Sequence, residues 1–415
     1  MKIPLKYRDD PNLNGQITTL IVSLGSNVLS YSVLATFGLF FVSMVEEFNW
    51  SATAGSLGFA VTWLARSIFS PLSGFSYGKF GIRAVTVFGS IILALGLLLS
   101  SSMNSQWEYA LYFGVIVSAG STALSMSHSI LIPRWFTGNR GFAMGIVSTA
   151  YGLGPLVFFP LINALIDSLG WRNTLNVYAL ALVIFGIIAL LTIRNTPPVQ
   201  SNDPMTALDS PQSWALKDAL KGKRFWALGT MYIAGFLGYQ MLVAHQVAYA
   251  EAAGIERGII VSALSFMGGL TLIGAIIGGS LSDKLGREIV FFSSSVIGAL
   301  GILSFILLSI YSGNIIFLLG FSLFGGIGFG MRLPLVLTIA ADVFQGPLFP
   351  KLIGFLGVAT AIGGFTGPML AGIIFDMTSS YLPALIVSAT AMLGSGLLVW
   401  LVAPTRKGLF SNING

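Results

Sequence analysis

The sequence predicts an all-α integral membrane protein of twelve transmembrane helices, arranged as two pseudo-symmetric six-helix halves. Of the 415 residues, 55% are hydrophobic and only 9% are charged, whereas a soluble domain carries roughly 25% charged residues. Apolar stretches that can cross a bilayer, which needs ~20 residues each, occupy nearly the whole chain. A glycine-rich motif that follows the second stretch returns after the eighth.

Short polar turns separate these apolar stretches, with one exception. The exception is the proline-rich polar segment between Arg194 and Arg224. The sequence therefore predicts an N-terminal six-helix bundle at 1–194, a cytoplasmic linker at 195–224 and a C-terminal six-helix bundle at 225–415. The predicted spans are 16–45, 52–75, 82–102, 108–133, 141–168, 173–194, 225–250, 259–282, 289–311, 314–341, 351–376 and 381–403.

Lysine and arginine are concentrated on one side of the predicted membrane. That side holds both termini, the linker and the loops after the second and eighth spans, whereas the other side holds only Arg172 and Arg257. Because cytoplasmic loops carry an excess of lysine and arginine, both termini are predicted to be cytoplasmic, in a multi-pass protein of the cell membrane. This placement explains the net charge of +6 without nucleic-acid binding.

The motif that repeats lies in the loops after the second and eighth spans. The first copy is Gly74-Phe-Ser-Tyr-Gly-Lys-Phe-Gly-Ile-Arg83, and the second is Gly279-Ser-Leu-Ser-Asp-Lys-Leu-Gly-Arg-Glu288. Parallel six-helix repeats are a known architecture of transporters, with the binding site near the midplane between the halves.

The second copy resembles the signature of the major facilitator superfamily, a resemblance that covers essentially the whole chain and implies the major facilitator fold. The first copy departs from that signature at Gly78, where the family usually has aspartate. The family implies that charged loop residues hold a cytoplasmic gate shut by pairing at helix ends. The predicted gating residues are Asp283, Lys284, Arg287, Lys79 and Arg83.

Four further stretches resemble the branch that contains monocarboxylate transporters and the oxalate/formate exchanger. In that branch the eighth helix usually carries an arginine, where this chain has Gly274-Ala275-Ile276. The exchanger also uses a lysine in helix 11, where this chain has no charge between Lys351 and Asp376. The branch's substrate-binding charges therefore cannot be carried over, which puts oxalate in doubt. The four stretches are Glu46–Ser51, Arg134–Gly145, Gly170–Arg172 and Phe375–Tyr381.

Two arginines, Arg66 and Arg332, lie deep in the second and tenth spans. An arginine at a helix centre costs ~2.5–3.5 kcal/mol on insertion, so it normally faces a cavity or a partner. All 15 acidic residues lie in tails, in the linker or near span ends, which makes an anionic substrate the predicted counter-ion. As alternatives, Arg66 snorkels to the interface, or Arg332 pairs with Asp342 or with carbonyl groups freed by Pro334.

Two histidines and several polar side chains complete the predicted substrate-binding set. His128 and His245 lie in the fourth and seventh spans, which line the cavity in the family. A lone intramembrane histidine is often only a helix–helix contact, but histidine also titrates near neutral pH. The residues that could orient a small polar ligand are Tyr31, Asn27, Tyr151, Tyr239, Gln240 and Gln246.

These observations favour a secondary transporter that moves a small organic anion, with a monocarboxylate preferred, by alternating access. Without an acidic relay, an empty carrier would reorient bare cations, which favours anion exchange. Proton coupling through His128 or the substrate itself stays open. Alternatives are an inorganic anion of the nitrate or phosphate type, and a neutral solute such as a sugar or drug. The sequence contains no metal-ligand spacing, nucleophile–base pair or phosphate loop, so no enzyme activity, metal or cofactor is expected, and a monomer is expected.

Overall fold

The computed structural model describes residues 13–136, 140–193, 222–311, 313–343 and 349–402, and its regular structure within these ranges is helical. Ten stretches are long and apolar enough to cross a membrane. One of them, Gly145–Thr192, holds two spans, because Gly170 leaves the helical conformation with φ 78° and ψ 160°. The remaining span is Ala52–Phe80, which is less apolar because it carries Arg66 and several serines. The described helices thus supply the twelve predicted spans.

Six helices form the N-terminal half. In chain order they are α1 (Leu13–Ala35, continued by Phe37–Phe48), α2 (Ala52–Phe80), α3 (Ile82–Ser101), α4 (Gln106–Tyr109, Ala110–Val117 and Ser118–Trp135), α5 (Arg140–Ser148 and the part of Ala150–Thr192 before Gly170) and α6 (the part after Gly170).

Six more helices form the C-terminal half. They are α7 (Lys223–Ala252), α8 (Arg257–Leu285), α9 (Arg287–Ile310), α10 (Ile315–Gly320, Phe321–Gly325 and Gly326–Val343), α11 (Phe349–Thr378) and α12 (Leu382–Val402). Most of the predicted linker at 195–224 lies outside the described residues, so the linker and the division into two bundles stay predictions.

The internal repeat is visible in the backbone. α2 ends at Gly81 with φ 78°, and α8 ends at Gly286 with φ 100°. Glycine adopts these left-handed conformations at little cost because it has no Cβ atom. The fourth helix of each half also contains a π-helical segment, Ala110–Val117 in α4 and Phe321–Gly325 in α10. The same local departures from α-helix geometry therefore recur at equivalent places in the two halves.

The two halves meet where α2 packs against α11 and α5 packs against α8. A Cβ atom built on Gly372 of α11 would lie 2.7 Å from the backbone of Thr53 in α2. One built on Gly268 of α8 would lie 2.7 Å from the backbone nitrogen of Leu156 in α5. Small residues allow membrane helices to approach this closely. The interface between the halves is therefore built on backbone contact as well as on side chains.

Large apolar side chains cover the outer surface of the helices. Phe75 is 72% exposed and Leu191 is 75% exposed. A soluble protein rarely exposes extended apolar patches, whereas a bilayer covers them with hydrocarbon. The surface agrees with a chain that crosses a membrane many times.

Candidate functional site

Three tyrosines from three helices meet between the halves, and we call them the tyrosine cluster. The hydroxyl oxygens of Tyr31 in α1 and Tyr239 in α7 lie 3.1 Å apart and share a hydrogen bond. The rings of Tyr31 and Tyr151 in α5 meet edge to face, with centroids 4.9 Å apart. Because Tyr239 belongs to the C-terminal half and the other two belong to the N-terminal half, the cluster joins the two halves through side chains predicted to bind substrate.

A cavity lies against this cluster, and we call it the central cavity. Its polar lining consists of the tyrosine cluster, Gln246 and Thr271, and none of the described residues that line it is charged. Helices from both halves contribute. The other lining residues are Ala35, Pro155, Phe159, Leu242, Val243, Leu264, Met267, Gly268 and Phe329.

Arg66 of α2 is not among the residues that line the central cavity, but it interacts electrostatically with Tyr151 of the tyrosine cluster. Its Nη1 and Nη2 atoms donate to the hydroxyl oxygens of Ser121 and Ser125 in α4, at 3.4 Å and 3.2 Å. Its Cζ atom lies 5.4 Å from the centroid of the Trp63 ring. Within the described ranges no carboxylate forms an ion pair with Arg66. The guanidinium therefore has neutral partners and keeps its full positive charge to offer to an anion.

Arg332 occupies a different place from the one predicted. Its Nη1 atom donates to Ser295 of α9 at 2.8 Å, its Nη2 atom donates to Ser395 of α12, and its Cζ atom lies 4.3 Å from the centroid of the Phe291 ring. It is not among the residues that line the central cavity. The side chain points into the C-terminal half because these serines satisfy its N–H groups there. Its role as a substrate ligand stays a prediction.

His245 is buried and bridges the two halves. Its Nε2 atom lies 3.0 Å from the hydroxyl oxygen of Ser56 in α2 and 3.2 Å from the carbonyl oxygen of Pro368 in α11. Its Nδ1 atom lies 3.3 Å from the hydroxyl oxygen of Tyr381. His245 lines a second cavity, of about 230 Å³, and not the central one. It therefore makes the helix–helix contact that the sequence analysis named as the simpler interpretation.

The other predicted binding residues are not brought into the central cavity. Asn27 is buried in α1 and donates to the carbonyl oxygen of Ser23 at 3.2 Å. Gln240 is buried in α7, and neither residue lines the central cavity. The side chain of His128 in α4 lies outside the described part of the structure. Of the predicted binding residues, the tyrosine cluster and Gln246 line the central cavity, and Arg66 interacts electrostatically with Tyr151.

The predicted gating residues lie at the face where α2 turns into α3 and α8 turns into α9. Arg287 pairs with Asp283 at 3.7 Å and with Asp342 of α10. Both partners belong to the C-terminal half, and Asp342 pairs with Arg287 in place of Arg332. Lys284, Lys79 and Arg83 are exposed. The gating role of all five stays a prediction.

At the opposite face the two halves are joined by an aspartate that the sequence analysis used only as a motif residue. The two carboxylate oxygens of Asp376, at the end of α11, accept from the backbone N–H groups of Ala52 and Thr53 at 2.9 Å and 3.0 Å. These are the first two residues of α2. A carboxylate at a helix N-terminus satisfies free N–H groups and complements the helix dipole. We call this side of the bundle the closed face.

A second link at the closed face comes from Arg257, at the start of α8. Its Nε atom donates to the side-chain oxygen of Asn163 in α5 at 2.9 Å, and its Nη2 atom donates to the carbonyl oxygen of Leu39 in α1 at 3.2 Å. Both acceptors belong to the N-terminal half. Sequence analysis treated Arg257 only as a marker of topology, because a single arginine in a turn carries no signal about its acceptors.

Three of the four stretches that resemble the monocarboxylate branch meet at the closed face. Glu47 accepts from Trp171 at 2.5 Å and pairs with Arg172 at 2.8 Å, which joins Glu46–Ser51 to Gly170–Arg172. Asp376 joins the stretch Phe375–Tyr381 to the helix that begins after Ser51.

Comparison with known proteins agrees with this architecture. A family model described as Major Facilitator Superfamily matches residues 23–331 and 258–413. Among solved structures, a bacterial homolog of the human lysosomal transporter Spinster, in an inward-facing and unoccupied conformation, superposes with a TM-score of 0.68 at 14% identity, covering 94% of this chain and 95% of that one. The twelve-helix fold of two six-helix halves is confirmed.

Curated relatives give the branch within this fold. Monocarboxylate transporter 13 of Bos taurus is 27% identical, over 97% of this chain and 95% of its own length. Monocarboxylate transporter 11 of Homo sapiens is 26% identical, over 91% of this chain and 80% of its own length. The oxalate:formate antiporter of Oxalobacter formigenes is 27% identical, over 69% of this chain and 71% of its own length. The chain is a multi-pass membrane transporter and belongs to the major facilitator superfamily, in the branch of the monocarboxylate transporters and the oxalate:formate antiporter.

Proposed function

We propose that this protein carries a small organic anion with a single carboxylate across the cell membrane by alternating access. The observation that carries the proposal is the position of Arg66, a cation with neutral partners beside the tyrosine cluster. Arginine matches a carboxylate with two parallel N–H groups and stays charged when buried. The names of the relatives support the same substrate class.

The tyrosine cluster supplies the other half of the proposed site. The hydroxyl groups of Tyr31 and Tyr239 share a hydrogen bond. A carboxylate on Arg66 would accept from a tyrosine hydroxyl of either half, and hydrogen bonds to a charged acceptor are stronger than those between neutral groups. The substrate then contacts both halves, which is what alternating access between two bundles requires.

The charge at Arg66 also favours exchange as the mode of transport. Within the described residues Arg66 has no carboxylate partner, so an empty carrier would move an uncompensated cation through the membrane interior, at a cost of ~2.5–3.5 kcal/mol or more. A bound anion removes that cost in both directions. The proposed orientation places both termini in the cytoplasm, so the closed face is the outer one. The protein is proposed to act as a monomer.

Counterflow in liposomes tests the proposal. Purified full-length protein is reconstituted with unlabelled pyruvate inside and labelled pyruvate outside, and entry of the label is followed. We expect counterflow with the unchanged chain and its loss in both Arg66→Ala and Arg66→Lys, because lysine keeps the charge but not the paired N–H groups. The lost charge-assisted bonds are worth about 1.5–3 kcal/mol, or about tenfold to a hundredfold in affinity.

Arg224→Ala is the matched control, since Arg224 is an exposed arginine at the start of α7 and its removal should leave counterflow unchanged. Labelled phosphate and labelled glucose are tested in parallel. If phosphate shows counterflow and pyruvate does not, the substrate is an inorganic anion and not an organic one. Counterflow of glucose that survives Arg66→Ala would refute anion transport.

A further inference from the structure

We infer that the preferred substrate is an amphipathic monocarboxylate, with one carboxylate and a branched or aromatic apolar body, in place of a compact acid such as oxalate. The inference rests on the proposed function and concerns the same site. It follows from two independent features of the structure: the composition of the central cavity and the position of the second intramembrane arginine.

The central cavity has a polar end and an apolar end. Tyr31 and Tyr151 mark the polar end. Ala35 lies four residues after Tyr31 in α1 and Phe159 lies eight residues after Tyr151 in α5, so they stand about 6 Å and about 12 Å further along their helices. Both line the same cavity. The cavity therefore extends from the tyrosine cluster towards the closed face.

The apolar end is lined from both halves. Leu242 and Val243 of α7 and Leu264 of α8 are buried and face the cavity together with Phe159. Gln246 is the polar residue that lines this end of the cavity. A hydroxyl-rich or doubly charged ligand would leave its polar groups without partners here, which is costly in an apolar site. An alkyl or aromatic group would instead be removed from water on all sides.

The charge count at the site points to one carboxylate. Arg66 is the cation beside the tyrosine cluster, and the lining residues of the cavity, all within the described ranges, carry no charge. Arg332 is engaged by Ser295, Ser395 and the Phe291 ring inside the C-terminal half. A dicarboxylate would need a second cation within reach, and the described residues that line the cavity include none.

A ladder of 2-oxo acids tests the inference on the full-length protein in liposomes. Pyruvate, 2-oxobutanoate, 4-methyl-2-oxopentanoate and oxalate compete with labelled pyruvate in counterflow. Each added CH₂ group that is fully buried should tighten binding about fourfold, the equivalent of about 0.8 kcal/mol. We expect 4-methyl-2-oxopentanoate to compete at least about tenfold better than pyruvate, and oxalate to compete worse than pyruvate.

Filling the apolar end should reverse this preference. Ala35→Leu places a larger side chain in the cavity, and Val243→Phe does so from the other half if the first variant fails to fold. Either should weaken competition by 4-methyl-2-oxopentanoate at least about tenfold more than it weakens competition by pyruvate. Ala248→Leu is the control, since Ala248 also lies in α7 but does not line the cavity.

The outcomes separate this inference from the proposed function. Equal competition by all 2-oxo acids, or tightest competition by oxalate, would overturn the amphipathic substrate and leave organic-anion transport standing. The same substrate preference in the cavity-filling variants and in the unchanged chain would also overturn the amphipathic substrate. Failure of every carboxylate to compete would remove the proposed function itself, and this inference with it.

Discussion

Replacing Asp376 by asparagine should loosen the closed face without unfolding the protein. The carboxylate of Asp376 holds the N-terminus of α2 from the other half of the molecule, with oxygens 2.9 Å and 3.0 Å from two backbone nitrogens. These bonds exist only while α2 and α11 touch at this face. Their free energy therefore stabilises the closed state relative to a state open at this face, and contributes little to the stability of either half.

The expected size of the effect follows from what asparagine retains. Its side-chain oxygen still accepts one of the two N–H groups, but the second bond and the negative charge are lost. A hydrogen bond to a charged group is worth about 1.5–3 kcal/mol and a carboxylate at a helix N-terminus about 0.3–1 kcal/mol. Because Asp376 is exposed, solvent reduces both contributions, which leaves about 1–2 kcal/mol. The open fraction should rise about fivefold to thirtyfold.

Cysteine labelling measures this fraction directly, because the chain contains no cysteine. Val243→Cys places a thiol in the central cavity, and a membrane-impermeant maleimide is applied from the closed side. Asp376→Asn should speed labelling about fivefold to thirtyfold. Glu108→Gln is the matched control, since Glu108 also accepts from two backbone nitrogens, at 2.7 Å and 3.0 Å, but within its own half. Equal labelling rates in the Asp376 variant and the parent would refute the reasoning.

Three further predictions concern packing and topology. Arg332→Ala should lower the melting temperature, because the two serine hydroxyls lose the N–H groups that donate to them, at about 1–3 kcal/mol. The affinity for pyruvate should stay intact. Lost affinity at an unchanged melting temperature would restore Arg332 as a ligand. Gly268→Val should push α8 away from α5, because its Cβ would lie 2.7 Å from the Leu156 nitrogen, and should therefore speed the labelling of the cavity thiol. Gly229→Ala is the control and should not change the rate, because its Cβ would meet no atom within 4 Å. Ser210→Cys should be labelled only from the cytoplasmic side, and labelling from outside would invert the proposed orientation.

Span number, turn positions and the internal repeat could be predicted from the sequence, because each depends on local chemistry. A span needs ~20 apolar residues wherever it lies in the fold. The turns at Gly81 and Gly286 need a residue that tolerates positive φ, and glycine occupies both. Arg66 could also be predicted to find polar partners, because an arginine deep in a membrane helix must find polar surroundings, and it donates to Ser121 and Ser125.

The direction of Arg332 could not be predicted in the same way. Its direction depends on the rotation of α10 about its own axis, and the π-helical segment Phe321–Gly325 lies just before it in that helix. A π-helical turn inserts residues relative to a regular α-helix, so the face of a residue after this segment does not follow from counting at 3.6 residues per turn. The serines that receive Arg332 lie in α9 and α12, and a serine in an apolar helix gives no sign of its partner.

The internal repeat nevertheless contains a signal that points to the cavity. The interval that separates Gly74 from Gly279 also separates Arg66 from Thr271, and Thr271 lines the central cavity. Equivalent positions of α2 and α8 therefore contribute a cation on one side and a hydroxyl group on the other. The repeat therefore conserves the backbone position but not the charge, since α2 carries arginine where α8 carries threonine.

Substrate binding and the contact between the halves depend on the same hydroxyl groups. The hydroxyls of Tyr31 and Tyr239 form a hydrogen bond across the interface, which joins the two halves at the middle of the molecule. A carboxylate bound at Arg66 would accept a hydrogen bond from one of them and so compete with that cross-half bond. A ligand shifts a conformational equilibrium only through contacts that differ between the two states. The exchange of a tyrosine–tyrosine bond for a tyrosine–carboxylate bond is such a difference, and it lies where the two halves must separate for the substrate to leave.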